Sequence, residues 1–228
     1  MCPSDGRSRE VAVTSNSVSV VDYGLANLYS VLRAFKEIGV DATVVSDPQA
    51  VLQSERLVIP GVGSFEACMN ELRRRGLDDA VLGFIQTGRP VLGICVGMQI
   101  LFGESLEFGV WHGLDHLPGQ VRSIRELHQD HESLRVPHIG WSELLNPADQ
   151  ISAPHSVVEP AIAAAETLYF VHSFVAVPEN RQHVVAECEY EGRRLCAAVC
   201  DKNVIGVQFH PERSGKAGLR LLERFLLC

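Results

Sequence analysis

The sequence lacks the features that mark membrane-spanning, disulfide-stabilised and zinc-binding chains. It contains no run of about 18 apolar residues, so no transmembrane helix is expected. Its 7 cysteines include no Cys-x-x-Cys pair, and this scattered pattern indicates a reducing cytoplasm rather than a disulfide framework or zinc site. The formal net charge of -8 argues against a nucleic-acid-binding protein, because such a protein needs a basic face.

The first 16 residues, MCPSDGRSREVAVTSN, also lack the long apolar segment of a secretory signal. We interpret residues 1–16 as a flexible N-terminal extension that carries no chemistry. No internal repeat and no long Pro/Gly/Ser-rich linker divides the remainder. We therefore expect residues 17–228 to form one domain, a size that permits a substantial core.

Strand-like apolar runs alternate with helical patterns over the first hundred residues. Four strands are predicted in SVSVVDYG, DATVVSD, RLVIPGVG and PVLGIC. A helix follows the first strand, with Leu28, Val31, Leu32 and Phe35 at helical spacing. Two helices broken at Gly76 precede the fourth strand, and VGMQILFGES is predicted to be a further helix. This order predicts a parallel sheet with helices on both faces, with a site at the carboxyl ends of its strands.

The second half consists mainly of short strand-like segments. We expect GQVRSI, RVPHIGWSEL, TLYFVHSFVAV, HVVAECEYEG, RLCAAVCDKN and VIGVQFHPE to form an antiparallel extension of the same sheet. The stretch PADQISAPHSVVEPAIAAAE is interpreted as a loop with a helical turn, and SGKAGLRLLERFLLC as an amphipathic C-terminal helix. The predicted fold class is thus α/β, with a mostly parallel central sheet and an antiparallel extension.

A cysteine stands between two glycines where the fourth strand meets the next helix. Gly93-Ile94-Cys95-Val96-Gly97 has the layout of a nucleophile elbow, in which a sharp turn lifts the reactive side chain above the sheet. The N-terminus of the following helix favours a thiolate at this position. A buried structural cysteine would give the same local pattern.

A base and its orienting group are both present in GVQFHPE. His210 and Glu212 are two residues apart and would point to the same side of an extended chain. The imidazole would then face a thiol while the carboxylate accepts its other N–H. An exposed turn histidine is the alternative interpretation.

Gly61 and Gly63, in IPGVGSF, follow the third strand. They can turn backbone N–H groups inward as an oxyanion hole, which stabilises charge on a carbonyl oxygen under attack. A plain turn would have the same composition.

Together, PGVGSF, GICVGMQ and GVQFHPE resemble the class I glutamine amidotransferase family, over nearly all of residues 17–228. The resemblance implies a flavodoxin-like α/β fold and hydrolysis of glutamine by a Cys-His-Glu triad, without a metal or other cofactor. By that resemblance Cys95 is the nucleophile, His210 the general base and then acid, and Glu212 the orienting carboxylate. It further implies an oxyanion hole at Gly61, Val62 and Gly63 with the amide of Val96, and substrate binding by Gln99 and the backbone around His172 and Ser173.

Other segments are similar to one branch of the family, the glutaminase subunits of imidazole glycerol phosphate synthase. These segments are VVDYGLANLYSV, FGVWHGLDHLPGQV, HIGW and LYFVHSF. In that branch ammonia passes to a partner (β/α)8-barrel cyclase subunit, which forms imidazole glycerol phosphate and AICAR in histidine biosynthesis. A heterodimer with such a cyclase is the partner that the resemblance implies.

Val96, Ser142 and Arg213 depart from the residues common in the family, which are Leu, Asn and Lys. At position 96 the oxyanion hole would need the backbone amide and not the side chain. Ser142 and Arg213, however, leave open a second enzyme as the acceptor of the ammonia. That alternative is a paralogous glutaminase that supplies a different enzyme, such as a surface-sugar amidotransferase. A non-catalytic scaffold and a stand-alone hydrolase of γ-glutamyl bonds are further alternatives from other functional classes.

Overall fold

The structure is a computed structural model, and its description covers residues 17–127, 134–149, 155 and 157–228. The expected extension, residues 1–16, lies outside these described residues. So does part of the predicted loop PADQISAPHSVVEPAIAAAE, although the helical turn expected in it is present as a short helix.

Three of the described helices begin after polar capping residues. Asn27, Asp47 and Ser64 each accept a hydrogen bond from a backbone N–H of the helix that follows, which satisfies an otherwise unpaired donor. The described helices are α1 (Leu28–Glu37), α2 (Pro48–Gln53), α3 (Phe65–Arg74), α4 (Leu77–Gln86), α5 (Val96–Gln99), α6 (Glu159–Ala163) and α7 (Gly215–Phe225), with 3₁₀ helices at Arg181–His183 and Pro211–Arg213.

The strands are short and mostly apolar. In chain order they are β1 (Ser19–Val21), β2 (Thr43–Val45), β3 (Leu57–Gly61), β4 (Val91–Cys95), β5 (Phe102–Ser105), β6 (Trp111–His112), β7 (Leu117–Ser123), β8 (His138–Glu143), β9 (Thr167–His172), β10 (Phe174–Pro178), β11 (Val184–Tyr190), β12 (Arg193–Asp201) and β13 (Val204–Val207). β3, β4 and β13 are buried along their whole length, as expected for parallel strands covered on both faces.

The main sheet has the order β11-β12-β13-β4-β3-β1-β2. From β13 to β2 neighbouring strands run parallel, whereas β11, β12 and β13 pair antiparallel. This confirms the expected α/β class and the antiparallel extension. Since the chain leaves β1 for one edge and then returns past it to β3, right-handed crossovers place α1 and α2 on opposite faces. Accordingly α1 packs with α7, and α2 with α4.

Two features of the fold differ from the predictions. The predicted helix VGMQILFGES ends at Gln99, and its last residues form strand β5 instead. The segments GQVRSI, RVPHIGWSEL and TLYFVHSFVAV do not join the main sheet. They contribute instead to a four-stranded sheet, β10-β7-β5-β6, and to the hairpin β8-β9. Backbone pairing between distant segments causes both differences, for example the Leu114 N–H to Ile100 carbonyl bond of 2.8 Å.

Among the described residues, no helix combines the length and the apolar character that crossing a membrane requires.

Candidate active site

Cys95 lies at a sharp turn between β4 and α5. Its φ of 55° and ψ of -112° fall where non-glycine residues are strained, at a cost on the order of 1–3 kcal/mol. The side chain is only 5% exposed, yet it lines a cavity. The structure therefore has the geometry of a nucleophile elbow, because a residue with a strained backbone presents its side chain to a cavity.

The glycines around Cys95 are required by close backbone packing. A Cβ atom at Gly97 would lie 1.8 Å from the Ile59 carbonyl oxygen, and one at Gly93 would lie 2.6 Å from the Gly97 carbonyl oxygen. Gly61 is similarly confined, since its Cβ would lie 2.7 Å from the Gly97 nitrogen. Because Gly61 pairs with Cys95 across β3 and β4, the two predicted turns are held directly side by side.

His210 reaches Cys95 from a strand more than a hundred residues away in sequence. β13 pairs with β4 so that Val207 lies opposite Ile94, and His210 follows shortly after the end of β13. The backbone N–H of His210 donates to the Tyr169 carbonyl at 2.8 Å, which fixes the chain there. His210 and Cys95 line the same cavity, and interaction with Cys95 is one of the influences that raise the pKa of His210.

Glu212 holds the other side of the His210 ring. The distance from His210 Nδ1 to Glu212 Oε1 is 2.8 Å, and both side chains are almost fully buried. The predicted contact is present, but the expected extended conformation is wrong, because Glu212 lies in the 3₁₀ helix Pro211–Arg213. Burial by itself would lower the pKa of His210, yet hydrogen bonds and charge from Cys95 and Glu212 outweigh burial and raise it. The imidazolium form is therefore stabilised.

The predicted oxyanion-hole residues differ in whether their backbone N–H groups are already hydrogen-bonded. Val62, Gly63 and Val96 line the cavity, and Gly63 has a φ of +94°. The Val62 N–H, however, donates to the Leu25 carbonyl at 3.0 Å, and the Val62 carbonyl accepts from the Cys68 thiol at 3.6 Å. In this structure the Val62 amide is therefore directed at another backbone group rather than at the cavity.

The cavity beside Cys95 has a volume of about 350 Å³, which lies in the range of small-molecule sites. Every residue of the predicted site except Gly61 lines it. The His172 side chain does so only in part, because its Nδ1 is 2.8 Å from the Phe174 carbonyl oxygen and its Nε2 is 3.1 Å from His138 Nδ1. Both ring nitrogens of His172 are thus engaged within the protein, and the predicted binding by the backbone around His172 and Ser173 stays a prediction.

Gln99 is buried and anchored on two sides. Its Nε2 donates to the Phe174 carbonyl at 3.0 Å and to Gln208 Oε1 at 2.9 Å. With both amide hydrogens engaged, the side chain can offer a ligand only its oxygen, an acceptor.

Sequence reasoning missed two residues at this site. Gln208 is fully buried, and its Nε2 lies 3.6 Å from Cys95 Sγ. In the predicted strand VIGVQFHPE it stands two residues before His210. That spacing was a signal for it, because alternate residues of a strand share a face. Glu107 lines the cavity and accepts from the Phe65 N–H at 2.7 Å. Burial raises the pKa of Glu107. Its loop position offered no sequence signal.

Comparison with known proteins places this chain among amidotransferases. A family model described as "Glutamine amidotransferase class-I" matches residues 19–228. A curated relative from Syntrophotalea carbinolica, "Imidazole glycerol phosphate synthase subunit HisH", is 43% identical and aligned over 91% of this chain and 98% of its own length. A relative from Legionella pneumophila strain Paris, "Imidazole glycerol phosphate synthase subunit HisH 1", is 40% identical over 92% of this chain and 99% of its length.

Solved structures share the fold at low sequence identity. One, titled "Crystal structure of glutamine amidotransferase", aligns with a TM-score of 0.68 at 19% identity, covering 92% of this chain and 97% of the other. "Structure of PurLQS from Thermotoga maritima" aligns with a TM-score of 0.67, also at 19% identity, with the same coverage of both chains. The full-length match to the family model and the close relatives agree with the resemblance in the sequence motifs. This chain belongs to the class I glutamine amidotransferase family.

Proposed function

We propose that this chain is the glutaminase subunit of an imidazole glycerol phosphate synthase. It hydrolyses glutamine to glutamate and ammonia, and it passes the ammonia to a (β/α)8-barrel cyclase subunit that forms imidazole glycerol phosphate and AICAR in histidine biosynthesis. The observation that carries the proposal is that Cys95, His210 and Glu212 line one cavity, with His210 hydrogen-bonded to Glu212. Relatives named as that subunit, 43% and 40% identical over almost their whole length, support this choice of pathway.

The first half of the reaction forms a thioester. The Cys95 thiolate attacks the side-chain amide carbon of glutamine, and the carbonyl electrons move to the oxygen. We assign the stabilisation of this oxyanion to the backbone N–H groups of Gly63 and Val96, two residues that line the cavity, with each donor contributing about 3 kcal/mol. His210 gives its proton to the amide nitrogen, the carbon–nitrogen bond breaks, and ammonia leaves.

The second half regenerates the thiolate. Neutral His210 takes a proton from water, whose oxygen attacks the thioester carbon. The carbon–sulfur bond then breaks, and glutamate departs as Cys95 recovers its negative charge. Glu212 remains ionised throughout and keeps the ring in the tautomer that presents Nε2 to the sulfur. Glu212 thereby orients His210 without itself exchanging a proton.

The polar groups of the cavity match the amino-acid end of glutamine. The side-chain oxygen of Gln99 and the carboxylate of Glu107 are acceptors for an α-ammonium group. His172 and Ser173 also line this cavity. We assign substrate binding to these residues.

The same proposal includes the organisation and location of the chain. Residues 17–228 act as one amidotransferase domain, and the first 16 residues take no part in the chemistry. The enzyme works in the cytoplasm, which agrees with the unpaired state of the cysteines in the described part of the chain.

An assay of glutamate release tests the proposal. The wild-type chain should hydrolyse glutamine slowly alone and faster when a cyclase subunit and its ligand are added, because uncoupled hydrolysis would waste glutamine. The variants Cys95→Ser and Cys95→Ala should lose activity by at least about 10⁴-fold while retaining the circular dichroism spectrum and melting temperature of the wild type. Substantial glutamate release by either variant would rule out Cys95 as the nucleophile. Full activity without a cyclase would favour a stand-alone hydrolase instead.

A further inference from the structure

Gln208 is the last side chain in a buried series of hydrogen bonds that ends at the catalytic sulfur. It is 0% exposed, and its Nε2 lies 3.6 Å from Cys95 Sγ. Its Oε1 accepts from Gln99 Nε2 at 2.9 Å. These two contacts orient the carboxamide, because the oxygen must face the Gln99 amide hydrogens and the NH₂ group must then face sulfur.

Gln99 is oriented in turn by a backbone carbonyl. The oxygen of Phe174 accepts from Gln99 Nε2 at 3.0 Å and contacts His172 Nδ1 at 2.8 Å. A carbonyl oxygen can only accept, and it has two lone pairs for two donors. His172 Nδ1 therefore carries the proton, and Phe174 holds both side chains at one point.

The direction of the remaining hydrogen bonds follows from the protonation of two buried histidines. Burial lowers the pKa of His172 to about 3 and that of His138 to about 4, so both rings are neutral. With its proton on Nδ1, His172 accepts at Nε2 from His138 Nδ1, 3.1 Å away. His138 Nε2 must then accept from the Ser142 hydroxyl at 3.0 Å.

We propose that Gln208 is a positioning residue for the nucleophile, donating a hydrogen bond to the Cys95 thiolate. The series Ser142, His138 and His172 steadies the Phe174 carbonyl that orients the Gln99–Gln208 pair. The inference rests on the proposed role of Cys95 and extends it. The thiolate thereby has two donors, His210 and Gln208, where the sequence motifs indicated only one.

The length of the Gln208 side chain allows a test that keeps the packing. In Gln208→Met the side chain has a similar length, but it carries no N–H group that could donate a hydrogen bond to the sulfur. Hydrogen bonds to charged groups are strong enough that we expect alkylation of Cys95 by iodoacetamide at pH 7 to slow about tenfold. The pH midpoint of alkylation should also move upwards, because the thiolate has lost a donor. Mass spectrometry of the Cys95 peptide separates this signal from the other cysteines.

Gln86→Met is the matched control, because Gln86 is an exposed residue of α4; it should alkylate at the wild-type rate. If melting curves show that Gln208→Met does not fold, Gln208→Asn replaces it. The shorter side chain keeps the donor but withdraws it from sulfur, so the same slowing is expected. Alkylation of a folded Gln208 variant at the wild-type rate, with an unchanged pH midpoint, would overturn the proposal.

A double-mutant cycle tests the buried series behind Gln208. His138→Phe keeps the ring stacking on Phe170 and Tyr190 but removes the donor to His172. We expect about threefold slower alkylation in the wild-type background and no further slowing in Gln208→Met, because coupled residues are not additive. Equal slowing in both backgrounds would show that His138 does not act through Gln208.

This experiment needs no glutamine, so it separates the two proposals. If wild-type Cys95 alkylates rapidly but releases no glutamate, the proposed function fails while the role of Gln208 stands. If glutamate is released normally and Gln208→Met alkylates like the wild type, only the role of Gln208 fails.

Discussion

At the scale of single residues, the surroundings of the Cys95 sulfur come in part from a segment of the chain that is far away in sequence. His210 and Gln208 both follow β13, and both contact Cys95. The triad was recognisable from the sequence because GICVG and HPE are local patterns with a chemical rationale. Gln208 and Glu107 were not recognised, since their roles depend on contacts with residues far away in sequence.

The contact between Glu212 and His210 makes a prediction about pH. Against the lowering effect of burial, Cys95 and Glu212 raise the pKa of His210 from 6.5 to about 10. A group whose pKa is raised on folding adds stability at pH values below 6.5, and this stability is lost as the pH rises towards 10. In Glu212→Gln the pKa of His210 should fall, as measured by NMR titration of the ring protons.

The unfolding free energy gives an independent check of the same contact. The difference between wild type and Glu212→Gln should be largest in mildly acidic solution, just below pH 6.5, and should shrink as the pH rises towards 10. Glu143→Gln, at an exposed position in β8, should change neither quantity. An unaltered His210 titration in Glu212→Gln would contradict the assigned role of Glu212.

At the scale of elements, the elbow depends on how closely α5 approaches β3. The sequence predicted the strands β3 and β4 and the turn at Cys95, because apolar runs followed by glycine are clear signals. It did not predict that α5 would end after Gln99. The apolar residues Ile100, Leu101 and Phe102 suit a buried helix or a buried strand equally well, and pairing with the segment around Leu114 decides between them.

Replacement of Gly97 tests the close approach of these two elements. Gly97→Ala would place its Cβ atom 1.8 Å from the Ile59 carbonyl oxygen, and backbone must move to relieve the overlap. We expect a loss of about 3 kcal/mol of stability in urea unfolding, together with loss of glutaminase activity as the elbow is displaced.

Gly88→Ala provides the control, because Gly88 has a φ of +76° but open space around its Cβ position. Its cost should be only about 1–2 kcal/mol, from backbone strain, and glutaminase activity should be retained. Equal stability losses in the two variants would show that close packing does not set the requirement at position 97.

At the scale of the whole molecule, the site exists because the chain inserts β13 beside β4. No sequence period predicts that order, and the small sheets formed by the second half were missed for the same reason. Periodicity predicted the α/β class, and the resemblance to a family added a flavodoxin-like arrangement. Trp141 is exposed on β8, and Arg213 lies over the Tyr169 ring at 4.4 Å near the cavity.

Transfer of nitrogen from glutamine is the most direct test of the central claim. The chain, the cyclase subunit and its phosphoribulosyl substrate would be supplied with glutamine labelled at the amide nitrogen, in the presence of excess unlabelled ammonium. We predict that imidazole glycerol phosphate carries the label, and that Cys95→Ala abolishes this labelling. Release of labelled ammonia into solution, with only unlabelled nitrogen in the product, would contradict the account.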